Sequence, residues 1–146
     1  MWHTISNESE LTSFLDLVWN FHDSCIKEMK YISGAYVTEE LDMYPVNDSR
    51  ILRIILQRQD RALPAIEMEF QGLNFLKLYP VDEMYTCEIL DATMLFHDGY
   101  IYWCDCGDLT EEDLADYEGT LICASAFRWR PAGMYIGSQE VYLPIH

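Results

Sequence analysis

The runs Cys87–His97 and Tyr100–Cys106 are joined by Asp98-Gly99, and this dipeptide constrains the fold more than any other feature of the chain. A two-residue hairpin turn that follows the twist of its strands needs positive φ at both central positions, which Asp-Gly supplies at little steric cost. Pairing His97 with Tyr100 puts Ala92, Met94, Phe96, Ile101 and Trp103 on one face. The other face carries Asp91, Thr93, Leu95, His97, Tyr100, Tyr102, Cys104 and Cys106. The first face is core and the second is half polar, which is the pattern of an antiparallel sheet covered on one side.

The rest of the chain extends this picture. Leu11, Phe14, Leu15, Val18 and Trp19 fall at helical spacing and form one apolar stripe, with Ser6 or Asn7 as cap and Glu10 completing a capping box. Phe21 to Ile32 reads as a strand ending at Ser33-Gly34, and Val37 to Ser49, with Pro45, as a loop. Leu52, Ile54 and Leu56 alternate with polar residues, as do Ile66, Met68 and Phe70 after a turn at Asp60 to Pro64. Gln71-Gly72 reads as a second tight turn, and the broken phase at Leu76, Lys77 and Leu78 as a bulge or an edge. Thr110 and Asp113 open a short second helix, with Leu109 and Leu114 as its hydrophobic staple and Gly119 at its end. A last strand spans Thr120 to Arg130, and the tail 131–146 has no clear assignment.

These signals predict a single α+β domain over residues 1–146. It is mainly an antiparallel sheet of about six strands, with the N-terminal helix on one face and a short second helix. A chain of 146 residues with 50% hydrophobic content has enough apolar material for one core.

Charge narrows the class of partner. Nine basic residues against twenty-five acidic give a net charge of −16. Residues 1–80 carry −5 and residues 81–146 carry −11, with no Lys or Arg from Val81 to Glu118. A field of this sign repels phosphate backbones and anionic lipid and speeds encounter with basic proteins. The expected partner is therefore a basic protein, with no nucleic acid and no membrane, and the chain itself a monomer or homodimer. An acidic surface also serves solubility alone. The first residues carry no basic, apolar export signal, no apolar run is long enough to span a bilayer, and five scattered cysteines do not resemble a disulfide framework. The expected location is cytoplasmic, with reduced thiols.

Residues with reactive side chains form no recognisable catalytic set. His22-Asp23 could serve as base or metal ligand, but adjacent strand residues point to opposite faces, which makes them a structural junction. Cys104-x-Cys106 shares a face with His97, yet one intervening residue is too few for a zinc knuckle, and the thiols read as free and half-buried. P-loop, G-x-G-x-x-G, G-x-S-x-G, H-E-x-x-H and calcium-loop patterns are absent. No catalytic, cofactor or metal residue is assigned. The alternative that stays open is a metal-binding protein or enzyme using His22 and Asp23, or His97, Cys104 and Cys106.

The most informative segment is Asp105, Asp108, Glu111, Glu112, Asp113, Asp116 and Glu118, seven carboxylates in fourteen residues. A solvated helix end accounts for them as well as a docking patch does. As a docking patch, Asp105, Asp108, Glu111, Glu112, Asp113 and Asp116 would make charged contacts, and Tyr100, Tyr102 and Tyr117 would supply aromatic anchors.

Trp19-x-Phe21-His22-Asp23-Ser24-x-Ile26, followed by Ile66-x-Met68-x-Phe70-x-Gly72-Leu73, resembles small bacterial proteins with a W-x-FHDS start and a later apolar-E-F-x-G-apolar strand. The resemblance spans Leu11 to Leu78. Several such proteins are identified as immunity proteins of polymorphic toxin systems. It implies a non-enzymatic inhibitor of a basic toxin, and it assigns no role to Trp19, Phe21, His22, Asp23 or Ser24. A further alternative is a structural or regulatory homo-oligomeric subunit.

Overall fold

The computed structural model describes residues 1–133 and 136–138. Its strands are β1 (His3–Ile5), β2 (Ser24–Ile32), β3 (Tyr36–Val37), β4 (Met43–Tyr44), β5 (Ile51–Arg58), β6 (Ala65–Lys77), β7 (Thr93–His97), β8 (Tyr100–Cys104) and β9 (Leu121–Pro131), with one helix, α1 (Glu8–Leu17). Seven strands form one antiparallel sheet in the order β2-β5-β6-β9-β8-β7, and β1 also pairs with β9. The first part of β9 lies beside β8, Ile101 opposite Ala124, while its last part lies beside β1, Ile5 opposite Phe127. β3 and β4 form a separate two-stranded hairpin. Among the described residues no helix is long and apolar enough to cross a membrane.

The α+β class, the antiparallel sheet and the helix on one face agree with the sequence. The Asn7 side chain accepts a hydrogen bond from the Glu10 amide at 2.8 Å, and the Glu10 carboxylate accepts one from the Ser6 amide at 2.7 Å, so both ends of the box are satisfied. Leu11, Phe14 and Val18 are buried in the main core with Phe70, Phe127 and Trp129. Phe14 lies 5.6 Å from Phe127 and 5.1 Å from Trp129, centroid to centroid. The Asp98-Gly99 hairpin has the expected register, His97 opposite Tyr100, with φ of 51° and 80° at the turn. Ala92, Met94, Ile101 and Trp103 are buried on its core face, and Phe96 packs against them.

Five expectations are corrected. The strand count is seven plus a small hairpin, because β1 pairs with β9 and the expected loop 37–49 holds β4 paired with β3, which begins just before it at Tyr36. Gln71-Gly72 is not a turn. β6 runs unbroken through it, with Gly72 at φ +60° where an added Cβ would stand 3.0 Å from the Ser125 side chain, and the register against β9 shifts just beyond, between Leu73 and Phe75. The strand continues because Leu73 and Leu76 find partners in β9, at Ala124 and Ile122. The second helix is only a 3-10 turn, Leu114–Asp116, although Asp113 accepts from the Thr110 amide and hydroxyl as the expected cap would.

The remaining two corrections concern Trp19 to Asp23. Helix α1 stops at Leu17, and Trp19, Asn20 and Phe21 adopt left-handed backbone at φ 54°, 50° and 66°. The apolar stripe therefore ends at Val18 and Trp19 is 69% exposed. Asp23 is left-handed as well, and this irregular path lets its carboxylate approach His22 Nδ1 to 3.0 Å rather than point away from it. Left-handed conformation costs an L-residue roughly 1–2 kcal/mol. Three things hold it here: full burial of Phe21, Phe21 N donating to Val18 O at 2.9 Å, and Ala92 N donating to Asn20 O at 2.9 Å. Replacing Trp19 by glycine should therefore raise stability by about 0.5–1 kcal/mol, since glycine enters this region freely. Urea denaturation measures it, and a loss of stability would show that no strain is stored at that position.

Candidate functional site

The acidic segment is positioned by its apolar residues. Leu109, Leu114 and Tyr117 pack with Leu121, Leu95, Tyr102 and the buried Cys104 as a second small core on the sheet face opposite α1. The Thr93 hydroxyl ties the segment to the start of β7, donating to Cys106 O at 2.8 Å and accepting from Leu109 N at 3.2 Å. Because these side chains point inward, Asp108, Glu111, Glu112, Asp113, Asp116 and Glu118 are left exposed. Among the described residues none of these carboxylates forms an ion pair.

Other site residues have internal roles. Asp105 is half-buried and accepts a short hydrogen bond from the Tyr117 hydroxyl. Burial and the adjacent Asp105 carboxylate hold the Tyr117 phenol protonated far above its ordinary range. Tyr102 is pushed up to about 12 by its hydrogen bond with Cys123 and by burial, and it packs edge-on to Phe75 at 6.4 Å. Tyr100 is half-buried at the hairpin end opposite His97.

The W-x-FHDS segment comes to the same edge of the molecule. Asn20 and Leu15 line a groove of about 180 Å³ together with Asp91, Asp108 and Leu109. Trp19, next in the chain to Asn20, is exposed. The two sequence features that stood 80-odd residues apart thus border one groove, with Phe21 buried against Trp103 beneath it at 5.9 Å.

His97, Cys104 and Cys106 do not converge. His97 pairs with Tyr100 at the turn, Cys104 with Thr93 at the far end of the hairpin, and Cys106 is exposed. Among the described residues no three His, Cys, Asp or Glu side chains are grouped to hold a metal ion. His22 and Asp23 do touch, and Asp23 borders a larger cavity of about 730 Å³ beside β2 and β5.

A charge network on the sheet face away from α1 was not foreseen from the residues alone. Glu67 and Glu69 are buried on β6. Glu69 accepts from Arg53 Nε at 2.9 Å, from Arg128 Nε at 2.9 Å and from Gln71 at 2.9 Å; Glu67 accepts from Arg130 Nε at 2.8 Å. The Trp2 ring lies against the Arg128 and Arg130 guanidinium groups, each 4.3 Å from its centroid. Burial raises the Glu69 pKa, but hydrogen bonds from Gln71, Arg53 and Arg128 outweigh it and leave the group below the usual carboxylate value. Arg58 is buried too, donating to Leu63 O at 3.0 Å, and Lys77 donates to Tyr117 O. Five of the nine basic side chains are thus engaged inside the fold, so the outer surface is dominated by acids.

No family model matches this chain, and neither a curated protein nor a solved structure matches it.

Proposed function

We propose that this protein is a non-enzymatic acidic binding module for a basic protein, and that it acts as an immunity protein neutralising a basic toxin. The observation that carries the reading is the outward set of carboxylates over residues 108–118, held on an apolar base and unpaired with any cation among the described residues. Aligned negative charge raises the encounter rate with a basic surface and suppresses neutral or acidic partners. Trp19 supports the same reading, since an exposed tryptophan is a typical contact anchor and its chain neighbour Asn20 lines the groove. The immunity role itself rests on the W-x-FHDS resemblance and on the fit between an acidic surface and a cleft built for phosphates.

The test is native mass spectrometry of protein purified at low salt from its host, followed by a charge-reversal variant. Converting Glu111, Glu112 and Asp116 to lysine, with Asp113 kept as the partner of Thr110, should weaken capture of the basic partner at least about tenfold and flatten its salt dependence. These side chains are exposed, so the circular dichroism spectrum should stay unchanged. Unchanged binding would overturn the assignment of this patch. The contact between His22 and Asp23 beside a cavity favours a second reading, a metal-binding protein or enzyme. Near-stoichiometric metal in the purified protein would put that reading first.

A further inference from the structure

The hairpin of β3 and β4 forms its own two-stranded sheet and pairs with no strand of the larger one. Its register sets Tyr36 opposite Tyr44 and Val37 opposite Met43. Side chains alternate between the two faces of a strand, so the tyrosine pair lies on one face and the Val37–Met43 pair on the other. All four are large apolar or aromatic residues, and each is between 36% and 64% exposed. An antiparallel ribbon ordinarily covers one face with the core. This one covers neither.

A two-stranded ribbon without a core is marginal in water, so polar contacts have to hold its shape. At the tip, Thr38 N donates to Asp42 O at 2.9 Å, Leu41 N donates to Thr38 O at 3.0 Å, and Asp42 N donates to the Thr38 hydroxyl at 3.2 Å. At the base, the Tyr44 hydroxyl donates to Asp48 and the Tyr31 hydroxyl to Asn47, each at 2.9 Å. The Tyr36 and Tyr44 rings stack at 4.8 Å. The hairpin is thus shaped in advance, while its apolar side chains remain in water, and both conditions favour association with a partner.

Charge selects the partner. Glu39, Glu40 and Asp42 are exposed at the tip, and no Lys or Arg occurs from Tyr31 to Ser49. Among the described residues none of these three carboxylates forms an ion pair. A second copy of the chain, itself at −16, would bring like charge against them. A ribbon apolar on both faces is covered by a cleft rather than by a flat patch. We propose that the β3–β4 hairpin inserts into an apolar-walled cleft of a basic protein, where the tip carboxylates meet cations and the two side-chain pairs fill opposite walls. The inference rests on the basic-partner function proposed above and gives that partner a contact element separate from residues 108–118.

The test uses the basic protein that copurifies at low salt, identified by mass and then isolated. Val37→Ser with Met43→Ser should weaken its binding at least about tenfold at low and at raised salt alike, since an apolar contact is not screened, and should leave the melting temperature unchanged. Glu39→Lys with Glu40→Lys should weaken binding chiefly at low salt. Amide hydrogen exchange over residues 36–46 should slow in the complex. Parent-level binding by the Val37→Ser, Met43→Ser variant would overturn the hairpin assignment and leave the basic-partner function standing, whereas no basic partner for the parent would overturn both. A fall in melting temperature in that variant would show that these side chains serve the fold. A concentration-dependent dimer abolished by the same two substitutions would make a second copy the occupant. Either result also overturns the proposal.

Discussion

Replacing Arg53 and Arg128 together by methionine is expected to lower the unfolding free energy by about 3–5 kcal/mol at neutral pH, because it strands a buried charge. The Glu69 side chain has no exposed surface, whereas the two arginines are roughly one-third exposed. With both cations gone, Glu69 keeps only the Gln71 amide as a partner. The converse change, Glu69→Gln, leaves two guanidinium groups that can turn toward water, and should cost only about 1–2 kcal/mol. The pH dependence distinguishes the two states of the network. In the parent protein the folded-state pKa of Glu69 lies below the ordinary carboxylate value of 4.5. Its contribution is therefore complete above pH 4.5 and is lost as pH falls through the lower folded value. In the double variant burial acts without the cations, the folded pKa rises above the unfolded one, and the double variant's deficit relative to the parent should shrink as pH falls from 7 to 4. Urea titrations at the two pH values measure both effects. Equal losses for the two substitutions, or a deficit that does not change with pH, would show that the network is electrostatically neutral in effect.

Replacing Phe21 by alanine should cost about 3–5 kcal/mol, the range for truncating a buried aromatic. Phe21 is fully buried and meets Trp103 edge-on at 5.9 Å and Phe14 at 5.7 Å. It also anchors the left-handed run from Trp19. Some of the lost packing should thus be offset by release of that strain, which places the loss toward the lower end of the range. Combining Phe21→Ala with Trp19→Gly tests this coupling: once the anchor is gone the glycine should give little or no further gain. Full additivity of the two changes would mean that Phe21 does not hold the turn. The same pair separates stability from binding, since Trp19→Gly alone should stabilise the fold while weakening capture of a basic partner.

What could be read from the chain was local. The Asp98-Gly99 hairpin and its core face were legible because turn chemistry and a period of two both sit within a dozen residues. The Asn7 and Glu10 cap was legible for the same reason. Gln71-Gly72 carried a similar turn signal and misled, because the residues that keep β6 straight lie about fifty positions later in β9. Trp19 continued the helical spacing of Phe14 and Leu15, but the demand to bury Phe21 against Trp103 bent the chain into left-handed backbone. Glu67 and Glu69 looked like the wet face of a half-buried strand. Nothing near them in sequence announces Arg128 and Arg130, which stand opposite only once β6 and β9 pair. The acidic segment was visible as composition, but its mounting on Leu109 and Leu114, and its shared groove with Asn20, needed the fold.

The place of β9 has a consequence for how the protein is made. β9 is the last of the described strands to leave the ribosome, yet it lies between β6 on one side and β8 and β1 on the other, and His3 finds its partner only in Trp129. During synthesis β6 and β8 must wait side by side without the strand that joins them, and β1, made long before β9, is among the last strands to be paired. Such long sequence separations slow folding and leave apolar edges open in the meantime. Completion of the sheet should therefore come as one late, cooperative event after residue 131 has cleared the exit tunnel.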